Sequence, residues 1–212
     1  MKTDDLIASL ALEADRPRGL HRTRGALLCL CALAVPVVYF VNWMGMRSDW
    51  PQVLGAPVTL LKQGIPLALT LVAGAGALRL MRPAQARALS LWPLAVVAAI
   101  AATLWLWALL RTPEAALGAA FSGQTLAKCL TAVPVFALFP LVTGVAVLRR
   151  GASTRPMLSG ALLGLACGAA AATGYALHCT EDNPLFFITW YGAGIAVSTA
   201  LGTLAGRFFL RW

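Results

Sequence analysis

Apolar stretches of about 20 residues, each long enough to cross the hydrocarbon core of a bilayer, recur along this chain and leave little room for any other kind of fold. Six are read, at 26–46, 57–78, 90–110, 128–148, 157–177 and 186–210. A soluble helical bundle would need a polar face on each helix, and residues 95–110 carry no charge on any side. With 59% hydrophobic and 12% charged residues, the bilayer is the chain's main solvent. Lys62 falls inside the second stretch and Lys128 opens the fourth; each is expected to carry its ammonium to the headgroups along its own stem. The first stretch is too long for a signal-peptide core and lacks a small-residue cleavage pattern, so it reads as a retained anchor.

Where the formal charge of +9 sits gives the topology. Lys2, Arg16, Arg18, Arg22 and Arg24 precede the first stretch; Arg79, Arg82 and Arg87 follow the second; Arg149, Arg150 and Arg155 follow the fourth; Arg207 and Arg211 end the chain. The alternate compartment holds only Arg47, Lys62, Arg111 and Lys128. The positive-inside rule makes the larger set cytoplasmic, and an even number of spans puts both ends there. The expected fold is therefore all-α, a polytopic bundle of six transmembrane helices, N-in and C-in, with a short cytoplasmic amphipathic helix in front. The basic excess is a topological signal, and no direct nucleic-acid contact is expected from it. The division is residues 1–25 outside the membrane and 26–212 within it, with loops too short to bury a core of their own.

Inside the spans, Gly74, Gly76, Gly144, Gly160, Gly164, Gly168, Gly192 and Gly194 lie among many alanines, which lets helix backbones approach closely. Pro66, Pro93, Pro134 and Pro140 are expected to kink their helices. Trp43, Trp50, Trp92 and Trp212 fall near predicted interfaces, where an amphipathic ring anchors.

The N-terminal segment opens on Thr3, Asp4 and Asp5, a hydroxyl that can cap a helix and two carboxylates that complement its positive end. Leu6, Ile7, Leu10 and Ala14 follow at spacings of three and four, on one face. Pro17 and Gly19 end the run. So short a helix is marginal alone in water, and its apolar side needs a cover. That cover is either the membrane surface with the nearby loops, or the groove of a partner protein. The acidic first turn argues mildly against lipid.

Five cysteines divide by depth. Cys29 and Cys31 point to nearly opposite sides of one helix and cannot share a bridge; with Cys167 they read as small buried apolar residues. Cys129 lies 20 residues from Arg149, and Cys179 lies 23 from Pro156. At about 1.5 Å per residue they stand roughly 30 and 35 Å above the shared turn, so the two thiols could meet on the predicted periplasmic side. A disulfide is allowed in that compartment, and an accessible pair could take a soft metal. His178, beside Cys179, is a further metal-capable group. Glu181 and Asp182 keep the loop wet, and Asp182, Asn183 and Pro184 make a turn. A reactive or sensing pair, a plain structural disulfide and no interaction all remain open on the residues alone.

No Cys-x-x-Cys pair, phosphate-cradling loop, His-Glu-x-x-His run or nucleophile elbow is present, and His21 has no partner that would make it catalytic. All eight acidic residues lie in the N-terminal segment or the non-cytoplasmic loops, which weakens an ion-coupled transporter. A membrane thiol-disulfide oxidoreductase would need a second cysteine pair. These remain as alternatives.

The chain resembles the NrsF-type anti-sigma factors, six-span proteins of the bacterial inner membrane. The likeness rests on the opening Met-Lys-Thr-Asp-Asp-Leu-Ile-Ala-Ser-Leu, on span count and length, on the separated Cys129 and Cys179, and on Trp190-Tyr191. It implies a regulator and no enzyme. The N-terminal segment, through Thr3, Asp4, Asp5, Leu6, Ile7 and Leu10, would hold an extracytoplasmic-function (ECF) type sigma factor at the membrane. Cys129 and Cys179 would respond to oxidising or heavy-metal stress. No resident cofactor is implied; a transient heavy-metal ion at the cysteines, with His178 nearby, is the one exception. The two sites would be coupled if the signal shifted the fourth and fifth spans.

Overall fold

The computed structural model describes residues 45–53, 55–82 and 89–210, together with positions 3, 5, 7, 27, 34, 38 and 42. Among the described residues there are seven helices: α1 (Trp50–Val53), α2 (Pro57–Leu80), α3 (Trp92–Arg111), α4 (Glu114–Ser122), α5 (Leu126–Leu148), α6 (Pro156–Ala176) and α7 (Pro184–Phe209). Five of them, α2, α3, α5, α6 and α7, are long and apolar enough to cross a membrane, and they match the second to sixth expected spans. The first stretch, 26–46, lies largely outside the described residues; Leu27, Ala34, Val38 and Asn42 within it are helical and exposed. At the N-terminus Thr3, Asp5 and Ile7 are helical and exposed, while Asp4, Leu6 and Leu10 lie outside the described residues. Thr3 is itself helical, so it does not stand at the cap position expected of it.

Helix α6 is the most buried of the five and packs on α7, α2 and α5, whereas α3 sits at the edge against α2 and α7. The sequence of α6 explains its place. Gly160, Gly164 and Gly168 lie every fourth residue on one face and meet Ser198, Gly202 and Gly206 of α7, so closely that a Cβ at 160, 164 or 202 would run into opposing backbone. In lipid, where apolar burial offers no drive for helices to associate, such close backbone packing supplies the attraction.

The bundle has two chemically distinct ends. Arg79, Arg82, Arg149, Arg150, Arg155 and Arg207 mark one, where Ala152 N–H donates to the Met81 carbonyl across neighbouring turns (3.0 Å). Asp49, Glu114, Glu181 and Asp182 mark the other. Each end has its own apolar cluster: Leu80, Leu141, Leu148, Leu162 and Leu210 at the basic end, and Cys129, Val133, Tyr175, Cys179, Phe186 and Tyr191 at the acidic end.

Two local expectations change. Pro93 lies in the first turn of α3, where the missing N–H was unpaired in any case, so it starts a helix instead of kinking one; Pro66, Pro134 and Pro140 are interior. The 111–125 connection, read as a loop, contains α4. Glu114 suits the positive end of that helix, and Gly123 ends it at φ +50°, under the Phe186 ring.

Replacing Gly202 or Gly164 by Ile should lower bundle stability by about 2 kcal/mol or more, followed by circular dichroism during unfolding in mixed micelles. Gly192→Ala, with no atom within 4 Å of the added carbon, should leave the midpoint unchanged. Equal midpoints for all three variants would show that the α6–α7 seam does not hold the bundle together.

Candidate functional site: two buried thiols under an ion-paired loop

Helix α6 stops at Ala176, and the Tyr175 carbonyl accepts both His178 and Cys179 N–H groups (3.0 Å each). The chain then crosses to α7, where Asn183 caps the new helix through its Oδ1, accepting Leu185 N–H (2.9 Å), and Pro184 occupies the first turn. The turn expected at Asp182, Asn183 and Pro184 is thus a helix start.

Cations from two distant places reach this loop. Lys62 of α2 is fully buried, and its Nζ donates to the Cys179 carbonyl (2.6 Å) and to Asp182 Oδ1 (3.0 Å). It does not extend to the headgroups as its position suggested, because a carbonyl and a carboxylate lie within its reach inside the bundle. Arg47 is also buried; it forks onto Asp182 (2.8 and 2.9 Å) and onto Asp49 (2.7 Å twice), and its Nη1 lies 3.3 Å from the Cys179 carbonyl. Burial alone would push the Asp182 carboxyl up, but Arg47 and Lys62 together hold it below its ordinary value. The hydrogen bond from Arg47 likewise pulls Asp49 down, and the two carboxylates raise Arg47 beyond the usual arginine range. Asp182 therefore serves as a counter-ion, in place of the solvating role expected of it. Glu181 Oε1 accepts Gln124 N–H (2.7 Å), tying the end of α4 to the same loop.

Beneath the loop lie the thiols. Cys129 in the first turn of α5 and Cys179 are buried free cysteines of one apolar cluster. Thr125 joins them: its carbonyl accepts Cys129 N–H (2.9 Å) and its hydroxyl lies 3.9 Å from Cys179 Sγ. Their common height agrees with the residue count along the two helices, but neither is accessible, and accessibility is the condition on which a soft metal could be taken up. Tyr191 of α7 packs edge-on against Tyr175 (5.9 Å between centroids) and tilted against Phe187. Its neighbour Trp190 donates to the Phe121 carbonyl (2.7 Å), holding α4 down. His178 does not gather with the cysteines; its Nδ1 donates to the Gly45 carbonyl (3.1 Å). Among the described residues no group of three or more His, Cys, Asp or Glu side chains is placed to hold a metal.

Arg47, Lys62 and Asp182 carry this site, and the sequence did hold a signal for them. Arg47 and Lys62 are two of the four basic residues outside the basic compartment, and a lysine inside an apolar helix either reaches the headgroups or pairs with a carboxylate or carbonyl.

The family described as NrsF, negative regulator of sigma F, matches residues 10–212. The anti-sigma-F factor NrsF of Caulobacter vibrioides (strain NA1000 / CB15N) is 32% identical over 220 residues, covering 100% of both chains. The probable anti-sigma-F factor NrsF of Azospira oryzae (strain ATCC BAA-33 / DSM 13638 / PS) is 33% identical over 226 residues, again with 100% of both covered. No solved structure matches.

Asp182→Asn should destabilise the bundle by about 3 kcal/mol, because it strips a buried ammonium of its counter-charge. Adding Lys62→Met should return part of that loss, giving a non-zero coupling in a double-mutant cycle. The pH dependence has a definite sign. A carboxylate depressed in the folded state contributes above its unfolded value of about 4 and ceases to do so as pH falls through the lower folded value. Wild-type stability should therefore hold near neutrality and drop in acid, with a shallower drop for Asp182→Asn; parallel acid-unfolding curves would rule this out.

Proposed function

The chain belongs to the NrsF family of negative regulators of sigma F and is a regulatory protein, not an enzyme; from that premise we propose that it is an inner-membrane anti-sigma factor. It sequesters a sigma factor of the ECF type through its N-terminal segment and releases it on an oxidising or heavy-metal signal received by Cys129 and Cys179. Likeness over the full length to two proteins named as anti-sigma-F factors carries the proposal.

Three features support its parts. Ile7 is helical and 59% exposed, an apolar side chain with room for a partner's groove. The basic end of the bundle faces the cytoplasm under the positive-inside rule, and the stretch 26–46 added to five described spans makes six, with both termini on that side. The cysteines then lie on the periplasmic side, where thiols can be oxidised. A heavy-metal ion would be a transient signal on two thiolates, and no resident cofactor is required.

The detergent-solubilised full chain should co-purify with a sigma factor, and Leu6→Asp or Leu10→Asp should abolish that capture. Repression that survives deletion of residues 1–25 would refute the assignment of the segment. Replacing Cys129 and Cys179 together by Ser should leave repression largely intact and remove induction; undiminished induction by oxidant and by metal would end their sensory role.

A further inference from the structure

The end of the first apolar stretch, together with Arg47 just after it, is fastened to the cysteine loop at five points. Gly45 turns the chain at φ +76°, a left-handed conformation that favours glycine, and its carbonyl accepts His178 Nδ1 (3.1 Å). Two residues on, Arg47 N–H donates to the Leu177 carbonyl (3.2 Å). The Arg47 guanidinium grips both Asp182 oxygens (2.8 and 2.9 Å) and reaches the Cys179 carbonyl (3.3 Å). The same carbonyl is shared with Lys62 (2.6 Å). Every residue from Leu177 to Cys179, and Asp182 beyond, thus bonds the segment 45–47.

We propose that this clasp is the route by which the cysteine site acts across the membrane: a change at Cys179 moves Gly45 and Arg47, and with them the first span, whose other end carries the N-terminal segment. The inference rests on the function proposed above, in that the segment captures a sigma factor and the cysteines receive the signal. The path differs from one through α5 and α6. Those helices are wedged against α7 and α2 in a close-packed core, whereas residues 45–47 continue directly into 26–46 and then 1–25. Chemistry at Cys179 acts on its own peptide group. When Cys129 and Cys179 join, two S–H bonds break and one S–S bond forms, and the two hydrogens leave with the oxidant. Drawing the Cys179 side chain toward α5 rotates the carbonyl on which Lys62 and Arg47 converge. Arg47 is in this sense a positioning residue and takes no part in the thiol chemistry.

The test uses the full chain in membrane vesicles, loaded with the sigma factor recovered with it, and diamide, whose azo bond takes up the two hydrogens. Disulfide formation is read by alkylation and non-reducing gels, and sigma release by sedimentation. In the wild type diamide should form the Cys129–Cys179 bridge and weaken capture on the order of tenfold. In Arg47→Gln the bridge should still form, while release falls to less than about twofold, below the usual span of coupling. Two insertions of Gly-Ser-Gly guard against a variant that fails to fold. Placed between Met44 and Gly45, the insertion should uncouple release from oxidation. Placed between Gly55 and Ala56, after the clasp, it should leave them coupled. Full release in Arg47→Gln, or equal behaviour of the two insertions, overturns the clasp alone. A wild type that forms no bridge, or forms it and keeps its sigma factor, overturns the oxidant-sensing role of the cysteines and the clasp with it.

Discussion

A lysine ammonium with no exposure to solvent is the constraint on which this structure turns. Removing such a charge from water costs several kcal/mol unless groups of opposite polarity surround it, so wherever Lys62 is placed, acceptors must be brought. The chain brings two, the Cys179 carbonyl and the Asp182 carboxylate. The Asp182 carboxylate has more acceptor sites than one lysine uses, and Arg47 takes the second oxygen. Three parts of the chain, at 47, 62 and 179–182, meet at one knot. The consequences spread from there: the loop after α6 has a single path, Asn183 can cap α7 at once, and the end of the first apolar stretch is tethered to the same loop.

The middle of the bundle obeys a different rule. The small-residue seam between α6 and α7 relies on backbone proximity and contains no charge, so its tolerance is set by volume. The acidic end relies on matched polarity, so its tolerance is set by charge. Between the two, Cys129 and Cys179 lie in apolar surroundings directly beneath the polar knot. Position in the fold, more than any catalytic group, distinguishes these cysteines from Cys167, which belongs to the cluster at the other end.

What could be read from the sequence was what repeats or acts locally. Five spans appear within a few residues of their expected bounds, since length and the absence of charge determine them. The small residues of α6 were recognised as packing residues, and the matched heights of Cys129 and Cys179 followed from counting along two helices joined by a short turn. What escaped were pairings between distant positions. Arg47 and Asp182 are 135 residues apart, and Lys62 and Asp182 are 120 apart; no local pattern announces them. Lys62 was assigned to the headgroups because a flexible stem allows that, and the choice between lipid surface and buried carboxylate depends on a loop over a hundred residues away. Pro93 was misread for a smaller reason, the placement of a helix start within two or three residues, and α4 because its short segment was read as a loop between spans.

Burial also bears on how the thiols could respond at all. A group covered by a folded loop reacts only when that loop opens, and the rate follows the free energy of that opening. The hydrogen bonds of Arg47 and Lys62 are among those that hold the loop over these thiols. The interaction that organises the acidic end is therefore also part of what any reagent would have to open to reach the thiols. A stronger knot would make the thiols inert, and a weaker one would expose them at rest. Burial works against the Asp182 carboxylate, but Arg47 and Lys62 hold its pKa below the ordinary value and keep it charged, so ordinary changes in pH near neutrality do not loosen this contact. Under the proposed function, chemistry at the sulfur atoms would loosen it, because the Cys179 carbonyl is one of the two acceptors that surround the buried ammonium.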